Sequence, residues 1–398
     1  MIRALSRRNP SLLTCSRQFS IFASIQKPFL WYDDGDTQSG EKKENSLLHH
    51  LSSPVLYTSA STPVQFVSTE IAQQQVLSSP MEESSLLQSF FTFLGAEDLI
   101  ERSCLVMTPS SFAPYKLIAD FLRSTRLCPQ VFLPFVGTIV DHIVRYTNLR
   151  GQEYRVLNYR SGDWNIGGSV EDLLRAGMGS CVFLPFNASY PLSVALSPAE
   201  WQVLLDICIR RRHLIWLDVN CFGLCESVEA DAAALRAILH SSPCVISCSL
   251  QRSFGLHLQD AGCVICVCES PKEAANVRQT LQRCASELWG AEPLFMKAVV
   301  NRVLSDSSLR EKWIRECEQL NKRVGETRRH LIAECRKQGI PSYVYAYLTS
   351  QRGPFSRATV YGGVSEGLRA ILGRDGVMNL TSLGEGEIKE VVSRMKKC

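Results

Sequence analysis

The sequence has no long hydrophobic run, since no stretch of about 18 or more apolar residues occurs in it. A membrane-spanning helix needs about 20 such residues, so no membrane span is expected. The 398 residues are 45% hydrophobic and 21% charged, which is typical of a globular protein. This length is sufficient for one large α/β domain and a smaller one.

Acidic residues are missing from residues 1–19, which contain Arg3, Arg7, Arg8 and Arg17. Such a basic segment with several serines is typical of a mitochondrial targeting peptide. Residues 17–20, Arg-Gln-Phe-Ser, resemble a cleavage site of the matrix peptidase. We therefore expect import into the mitochondrial matrix, the alternative being a disordered basic tail.

An excess of basic charge is also missing once this segment is removed. The full chain has a formal net charge of +4, and loss of the four arginines leaves 39 Lys and Arg against 39 Asp and Glu. Nucleic-acid binding is therefore not indicated by charge, although a local basic patch is not excluded by this balance.

The 16 cysteines lack the spacing of a metal site or a disulfide framework. Cys263, Cys266 and Cys268 lie in an apolar, strand-like run, and no paired CxxC motifs with histidine partners occur. A free cysteine behaves as a small buried hydrophobic residue, and a matrix protein keeps its thiols reduced. No metal is expected.

The pattern along the chain indicates five regions and no internal repeat. Residues 20–80 are rich in Ser, Gln and Thr, which predicts an extended or loop-like arm that could bind a partner. The regions are a targeting peptide (1–19), a divergent N-terminal arm (20–80), a large α/β domain (81–290), long connecting helices (291–338) and a small C-terminal α+β domain (339–398).

Strand-like and helix-like segments alternate from about residue 82 onward. The predicted strands are Ser103–Thr108, Val131–Pro134, Cys181–Phe186, His213–Asp218, Cys244–Ser249, Ser342–Thr349 and Gly376–Thr381. The predicted helices are Leu86–Leu94, Pro114–Arg123, one after the capping box Ser197–Glu200, Glu229–His240, the tract Glu292–Gln338, Gly363–Leu372 and Gly384–Lys396.

This alternation predicts a mostly parallel sheet flanked by helices and joined by right-handed crossovers. Ligands bind at the carboxyl ends of the strands in such sheets. Asp218 and Ser249 both end predicted strands, so they are candidate site residues.

Short motifs in a fixed order give a more specific indication. They are Val131–Pro134, Pro191 followed by Ser197–Trp201, Leu217-Asp218 with Gly223, Ser249-Leu-Gln-Arg-Ser-Phe-Gly-Leu256, Leu309-Arg-Glu-Lys-Trp313 and Asp375-Gly376. From about residue 100 to the C-terminus, this series resembles aspartate aminotransferase, a class I/II aminotransferase. The resemblance implies the fold type I of enzymes that depend on pyridoxal 5'-phosphate (PLP).

The reactive lysine of that family is missing from this chain. The motif Ser-x-x-Lys-x-x-Gly-Leu places Arg252 at the position whose amine forms the Schiff base with PLP. A guanidinium stays protonated and has no free amine for this reaction. No lysine occurs between Lys116 and Lys272.

The resemblance also implies anchors for the cofactor phosphate. The Ser-Gly-Thr turn of the family reads Ser110-Ser111-Phe112 here, and Ser249 is kept. The phosphate-binding arginine is replaced by Asp260, whose carboxylate would repel a phosphate.

Around the cofactor ring, the resemblance implies that Asp218 is the acid that binds the ring nitrogen. Tyr190 and Cys221 replace the partners of the ring hydroxyl, and Thr138 replaces the stacking tryptophan. Val377 stands where an arginine would bind the substrate carboxylate, and the loop after Glu292 is shorter than in the family.

Simpler roles are open for these residues. Asp218 could cap a loop, and Ser110 and Ser249 could be turn residues. Arg252 could pair with Asp218 or Asp260, or hold an anion. His142 and His257 have no evident acid or nucleophile as a partner, so catalysis by them is not expected.

The sequence thus predicts a degenerate, catalytically inactive relative of aspartate aminotransferase with no bound cofactor. We expect it to be a structural or assembly subunit of a mitochondrial complex, with other proteins of that complex as partners. One alternative is a PLP-dependent aminotransferase with an atypical site. Another is a regulatory protein that binds a small anion. Homodimer formation, which is usual in the family, stays open.

Overall fold

A computed structural model describes residues 57–59, 62–64, 66–73, 85–256, 260–358 and 376–396. The targeting peptide, most of the arm, His257 and the helix predicted at 363–372 lie outside the described residues. The strands are β1 (Tyr57–Ser59), β2 (Thr62–Pro63), β3 (Ser103–Thr108), β4 (Val131–Pro134), β5 (Gly151–Tyr154), β6 (Cys181–Pro185), β7 (Leu214–Val219), β8 (Cys244–Ser249), β9 (Gly262–Val267), β10 (Phe355–Arg357) and β11 (Val377–Asn379).

Helices surround these strands. They are α1 (Val67–Gln73), α2 (Ser85–Leu94), α3 (Ala113–Thr125), α4 (Ile139–Tyr146), α5 (Ile166–Arg175), α6 (Pro198–Arg210), α7 (Val228–Ser241), α8 (Leu250–Phe254), α9 (Pro271–Trp289), α10 (Leu294–Ser305), α11 (Ser307–Lys337), α12 (Ser342–Tyr345), α13 (Tyr347–Ser350) and α14 (Glu385–Met395). Short 3₁₀ helices occur at Glu97–Arg102 and Leu380–Ser382.

A seven-stranded sheet with the order β3-β9-β8-β7-β6-β4-β5 forms the centre of the fold. Neighbours from β8 to β5 run parallel, whereas β9 is antiparallel to both β3 and β8. The prediction of a mostly parallel sheet flanked by helices is therefore confirmed. Strands β10 and β11 pair separately as a small antiparallel sheet.

The inner strands are buried on both faces, as expected for parallel strands covered by helices. Trp216 of β7 packs in a core with side chains of α3, α4 and α9. The adjacent Leu217 points to the other face, into a larger core that includes side chains of α2, α10 and α11. This alternation places Asp218 on the same face as Trp216.

The capping box predicted before α6 is confirmed. The backbone N–H of Ser197 donates to Glu200 Oε2 at 2.8 Å, and the backbone N–H of Glu200 donates to Ser197 Oγ at 3.3 Å. The predicted inner face of α6 is also buried, with Trp201 and Leu204 in the larger core.

Two predictions of local structure are wrong. Residues 342–349 form α12 and α13 rather than a strand. Their alternating tyrosines favour a strand, but the buried positions 344, 345, 347 and 348 follow helical spacing. The arm is not wholly extended or loop-like, because residues 67–73 form α1. Val67 and Ile71, one helical turn apart, are buried in the larger core.

Candidate functional site

Polar side chains converge at the carboxyl ends of β7 and β8. Asp218 is the next-to-last residue of β7, and Ser249 is the last residue of β8. Helix α8 starts directly after Ser249, so Arg252 also lies at this edge of the sheet. The structure thus places three of the residues that the sequence motifs single out at the same edge of the sheet.

Asp218 is the centre of a buried hydrogen-bonded group, the aspartate cluster, made of Asp218, Asn220 and Ser247. Ser247 Oγ donates to Asp218 Oδ1 at 2.8 Å, and Asn220 Nδ2 donates to Asp218 Oδ2 at 2.8 Å. Asp218 as a whole is only 3% exposed. Burial raises its pKa to about 6, although these hydrogen bonds and the nearby Arg252 act in the opposite direction.

Asn220 also fixes the segment that carries Tyr190. The backbone N–H of Tyr190 donates to Asn220 Oδ1 at 2.8 Å, and Asn220 Nδ2 lies 3.0 Å from the Tyr190 carbonyl oxygen. The adjacent Cys221 is buried, which raises the pKa of its thiol to about 11 and keeps it neutral. The motifs did not single out Asn220 or Ser247.

Arg252 lies beneath two aromatic rings at the place where the sequence predicts a lost lysine. Its guanidinium carbon is 4.9 Å from the ring centre of Tyr190 and 5.8 Å from that of Phe355. The two rings meet edge to face at 5.1 Å. Arg252 is only 3% exposed, and its charge lowers the pKa of Asp218, which supports the electrostatic pairing of these two residues.

A second buried arginine positions Phe355. Arg328 of α11 donates to the carbonyl oxygens of Gln351, Gly353 and Phe355 at 2.9–3.0 Å, and to Ser356 Oγ at 3.2 Å. Burial lowers the pKa of Arg328 to about 10. Sequence motifs missed Phe355 and Arg328, because only the folded chain brings α11 next to residues 351–356.

A second polar group, the serine cluster, consists of Ser111, Ser249 and Asp260. The backbone N–H of Ser111 donates to Asp260 Oδ2 at 2.9 Å, and Ser111 Oγ donates to Asp260 Oδ1. Ser249 Oγ in turn donates to Ser111 Oγ at 2.8 Å. Asp260 therefore binds Ser111 rather than serving as the alternative partner suggested for Arg252.

Other predicted residues have roles in local structure. Ser110 Oγ accepts a hydrogen bond from the backbone N–H of Ala113 at 3.1 Å, so it caps the start of α3. Thr138 precedes α4 and donates its backbone N–H to Asp141 Oδ2 at 2.7 Å. Val377 is buried in β11 opposite Arg357 of β10. The exposed His142 lies in α4.

The lysines nearest to Arg252 in sequence are not in this arrangement. Lys116 forms an ion pair with Asp120 in α3 at 2.5 Å. A further lysine, Lys297 of α10, is buried and lies 3.8 Å from Glu292 Oε1. The same oxygen of Glu292 accepts the backbone N–H of Met107 at 2.9 Å, which ties α10 to β3.

The described part of the chain contains no group of three or more His, Cys, Asp or Glu side chains that could bind a metal ion. The 14 cysteines in it are all free. Among the helices described, none has the length and hydrophobicity that crossing a membrane requires.

Solved structures of aminotransferases share this fold. An aromatic-amino-acid aminotransferase from Burkholderia pseudomallei, covalently bound to pyridoxal phosphate, superposes with a TM-score of 0.79 at 21% identity and covers 93% of this chain and 99% of that chain. A mitochondrial aspartate aminotransferase from Trypanosoma brucei gives 0.76 at 20% identity, over 87% and 95% of the two chains. The fold is therefore fold type I of the PLP-dependent aminotransferases.

Curated relatives are similar in sequence. The mitochondrial aspartate aminotransferase of Arabidopsis thaliana is 26% identical over 64% of this chain and 60% of its own length. The aspartate aminotransferase of Pseudomonas aeruginosa is 28% identical over 61% of each chain. The chain thus spans about 60% of the length of these two relatives.

The family model for aminotransferase class I and II matches residues 141–356, which is more than half of the chain. This range includes β6 to β8, Asp218 and Arg252. The chain therefore belongs to the class I and II aminotransferase family.

Proposed function

We propose that this protein is a catalytically inactive relative of aspartate aminotransferase that serves as a structural or assembly subunit of a mitochondrial complex. The observation that carries the proposal is Arg252, a buried guanidinium packed against the rings of Tyr190 and Phe355 at the place where the resemblance implies the reactive lysine. A guanidinium remains protonated in proteins and therefore cannot attack an aldehyde as a free amine does.

The residues present do not fit PLP. Of the serines that would hold its phosphate, Ser111 already donates to the carboxylate of Asp260, and Ser249 donates to Ser111. A second anion beside that carboxylate would be repelled strongly in a partly buried site. On the other side, the Tyr190 ring packs against Arg252, at a position where the resemblance implies a partner of the cofactor's ring hydroxyl. No bound cofactor is therefore proposed.

The mitochondrial part of the proposal has two supports. Residues 1–19 have the composition of a targeting peptide. Relatives from Arabidopsis thaliana and Dictyostelium discoideum are named as mitochondrial aspartate aminotransferases. A retained fold with an altered site is what a subunit needs when its surface, rather than its chemistry, has a role.

Asp218 favours a second candidate, a PLP-dependent aminotransferase with an atypical site. It is the one predicted ring partner whose residue type matches the family, and it lies buried at the carboxyl end of β7. That function requires an amine other than Arg252. Lys297 is a buried lysine, but it lies beside Glu292 in the contact between α10 and β3.

The decisive experiment is covalent capture of the cofactor. The mature chain is incubated with pyridoxal phosphate, reduced with borohydride and examined by intact-mass spectrometry, with a catalytic aspartate aminotransferase as the positive control. We expect no stoichiometric adduct on this chain, whereas the control gains one cofactor. A stoichiometric adduct at a single lysine would establish the second candidate instead.

The variant Arg252→Lys tests whether the lysine is the sole loss. We expect it to remain without transaminase activity and without a stoichiometric adduct, because Asp260 still fills the serine cluster and Val377 cannot bind a carboxylate. The assembly role is tested separately by sedimentation of a mitochondrial lysate. The protein should migrate with a large particle, whereas migration as a free monomer or dimer would contradict this role and favour the anion-binding regulator.

A further inference from the structure

Asp260 engages its neighbours as a bound anion would. Its two carboxylate oxygens accept hydrogen bonds from one residue, the first from Ser111 Oγ and the second from the Ser111 backbone N–H. Ser249 Oγ donates to Ser111 Oγ at 2.8 Å, and Ser111 Oγ donates to the carboxylate, so Ser249 acts on Asp260 through Ser111. A chain of donors that ends on two oxygens of one group is the arrangement that an oxyanion requires.

The start of α3 adds to this preference for negative charge. Ser111 lies two residues before the 13-residue helix Ala113–Thr125, whose first N–H groups carry the positive end of the helix dipole. The N–H of Ala113 donates to Ser110 Oγ, and the N–H of Ser111 donates to Asp260. The carboxylate thus lies close to the N-terminus of α3.

A glycine allows Asp260 to approach so closely. Gly262, two residues later, pairs with both Thr108 and Ser249 at the edge of the sheet. A Cβ atom at this position would lie 2.8 Å from the Cys248 carbonyl oxygen and 2.9 Å from that of Ser110. Because no side chain is present there, the start of β9 can enter between β3 and β8 and direct Asp260 at Ser111.

We infer that Asp260 is a built-in anion that takes the place of a ligand phosphate on Ser111 and Ser249. This inference rests on the proposed function, since it explains how the donors of a lost cofactor site are satisfied without the cofactor. Donors left buried without an acceptor would destabilise the fold, and the carboxylate prevents this. It also excludes other anions from the same donors by occupying the space and by repulsion.

The variant Asp260→Ala tests the inference with inorganic phosphate as the probe. Binding is measured by isothermal titration calorimetry on the mature chain, at constant ionic strength adjusted with chloride. We expect the affinity of Asp260→Ala for phosphate to be at least about tenfold higher than that of the unmodified chain, because the donors and the space become available. Formate, which replaces only the carboxylate, should raise the melting temperature of this variant and not that of the unmodified chain.

Asp260→Asn is the matched control, since the amide removes the charge and keeps the volume. We expect it to bind phosphate more weakly than Asp260→Ala does, because the amide no longer repels the anion but still occupies the space. Binding equal to that of Asp260→Ala would overturn the inference, because charge alone would then account for the effect. Absence of phosphate and formate binding by folded Asp260→Ala would overturn it as well.

The experiment gives a result even if Asp260→Ala does not fold in chloride. Refolding from urea is then compared in phosphate, formate and chloride of equal ionic strength. The inference expects recovery in the first two solutions only, and equal failure in all three would contradict it. Neither readout involves pyridoxal phosphate, so failure here is distinct from failure of the proposed function, which would appear as a covalent adduct.

Discussion

The serine cluster and the aspartate cluster lie at neighbouring strand ends but deal with negative charge in different ways. In the serine cluster, Asp260 is partly exposed, and its carboxylate accepts two hydrogen bonds from Ser111, whose hydroxyl accepts one from Ser249. In the aspartate cluster, Asp218 is deeply buried, and burial outweighs its hydrogen bonds, so its pKa rises to about 6. The first cluster binds its carboxylate with nearby donors, whereas the second combines a buried acid with the permanent cation Arg252.

This difference indicates that the two halves of the site depend on different parts of the fold. The serine cluster joins residues just before α3 and just before β9 to the last residue of β8. The aspartate cluster depends on Arg252 and on the rings that cover it, and Phe355 is in turn held by Arg328 of α11. Substitutions can therefore disturb one cluster while the other stays intact.

The largest effect is expected for Arg328→Met. The change leaves the carbonyl oxygens of Gln351, Gly353 and Phe355 without their buried donor, since Arg328 is only 8% exposed. We expect the free energy of unfolding to fall by about 3–5 kcal/mol. Urea denaturation measures this loss.

The adjacent Arg329 offers a control on the same helix. Its side chain is exposed and donates to the Gly325 carbonyl oxygen at 3.3 Å. Arg329→Met should change the free energy of unfolding by no more than about 0.5 kcal/mol. If both variants lost the same unfolding free energy, the hydrogen bonds of Arg328 to the segment that carries Phe355 would not be what stabilises the fold.

The next effect is a pH dependence that arises from Asp218. Burial raises its pKa from 3.8 to about 6, so the folded chain binds this proton more tightly than the unfolded chain does. Ionisation of Asp218 therefore destabilises the fold: the cost is absent below about pH 4 and complete above about pH 7. The shift corresponds to about 2–3 kcal/mol.

Comparison with Asp218→Asn isolates this contribution, because the amide does not titrate. The unfolding free energy of the unmodified chain minus that of the variant should fall by about 2–3 kcal/mol between about pH 4 and pH 7. Asp231, whose pKa burial also raises to about 6, lies outside the candidate site. Asp231→Asn should thus give a similar pH effect. If the difference in unfolding free energy between the unmodified chain and Asp218→Asn did not change with pH, while that for Asp231→Asn did, burial would not raise the pKa of Asp218 as stated.

Much of the framework could be predicted because its signals are local. Strands β3, β4 and β8 begin and end as the sequence predicts, since each is a short run of mainly apolar residues bounded by turns or helices. Residues 342–349 were predicted wrongly for the same reason. Their tyrosines have strand propensity, whereas packing of four buried positions selects a helix.

The site could be predicted only in part, because its contacts are distant in sequence. Motif order pointed to Asp218, Ser249, Arg252 and Asp260 as site positions. It did not show that the Asp260 carboxylate meets Ser111, which precedes it by 149 residues. Nor could it identify Arg328, because an arginine on a long polar helix gives no sign of the carbonyl oxygens it meets after folding.

The smallest effects are expected when single hydroxyl groups of the serine cluster are removed. The ranking of these losses in unfolding free energy tests the hydrogen-bond arrangement of the cluster. Ser111→Ala removes a donor to a carboxylate, so we expect a loss of about 1–2 kcal/mol in unfolding free energy. Ser249→Ala removes a neutral hydrogen bond to Ser111 and should cost about 0.5–1 kcal/mol. Ser253→Ala is the control in α8, since its hydroxyl makes a weaker contact of 3.4 Å with the Ser249 carbonyl oxygen.

A double-mutant cycle between Ser111→Ala and Asp260→Ala extends this test. If the two side chains act as one unit, Ser111→Ala should cost much less in the Asp260→Ala background than in the unmodified chain. The same Ser111→Ala change should leave the pH effect of Asp218 unaltered, because that carboxyl group is bonded to Ser247 and Asn220 instead. Additive losses in the cycle, or an altered pH effect, would show that the two clusters are not the separate units that their hydrogen bonds indicate.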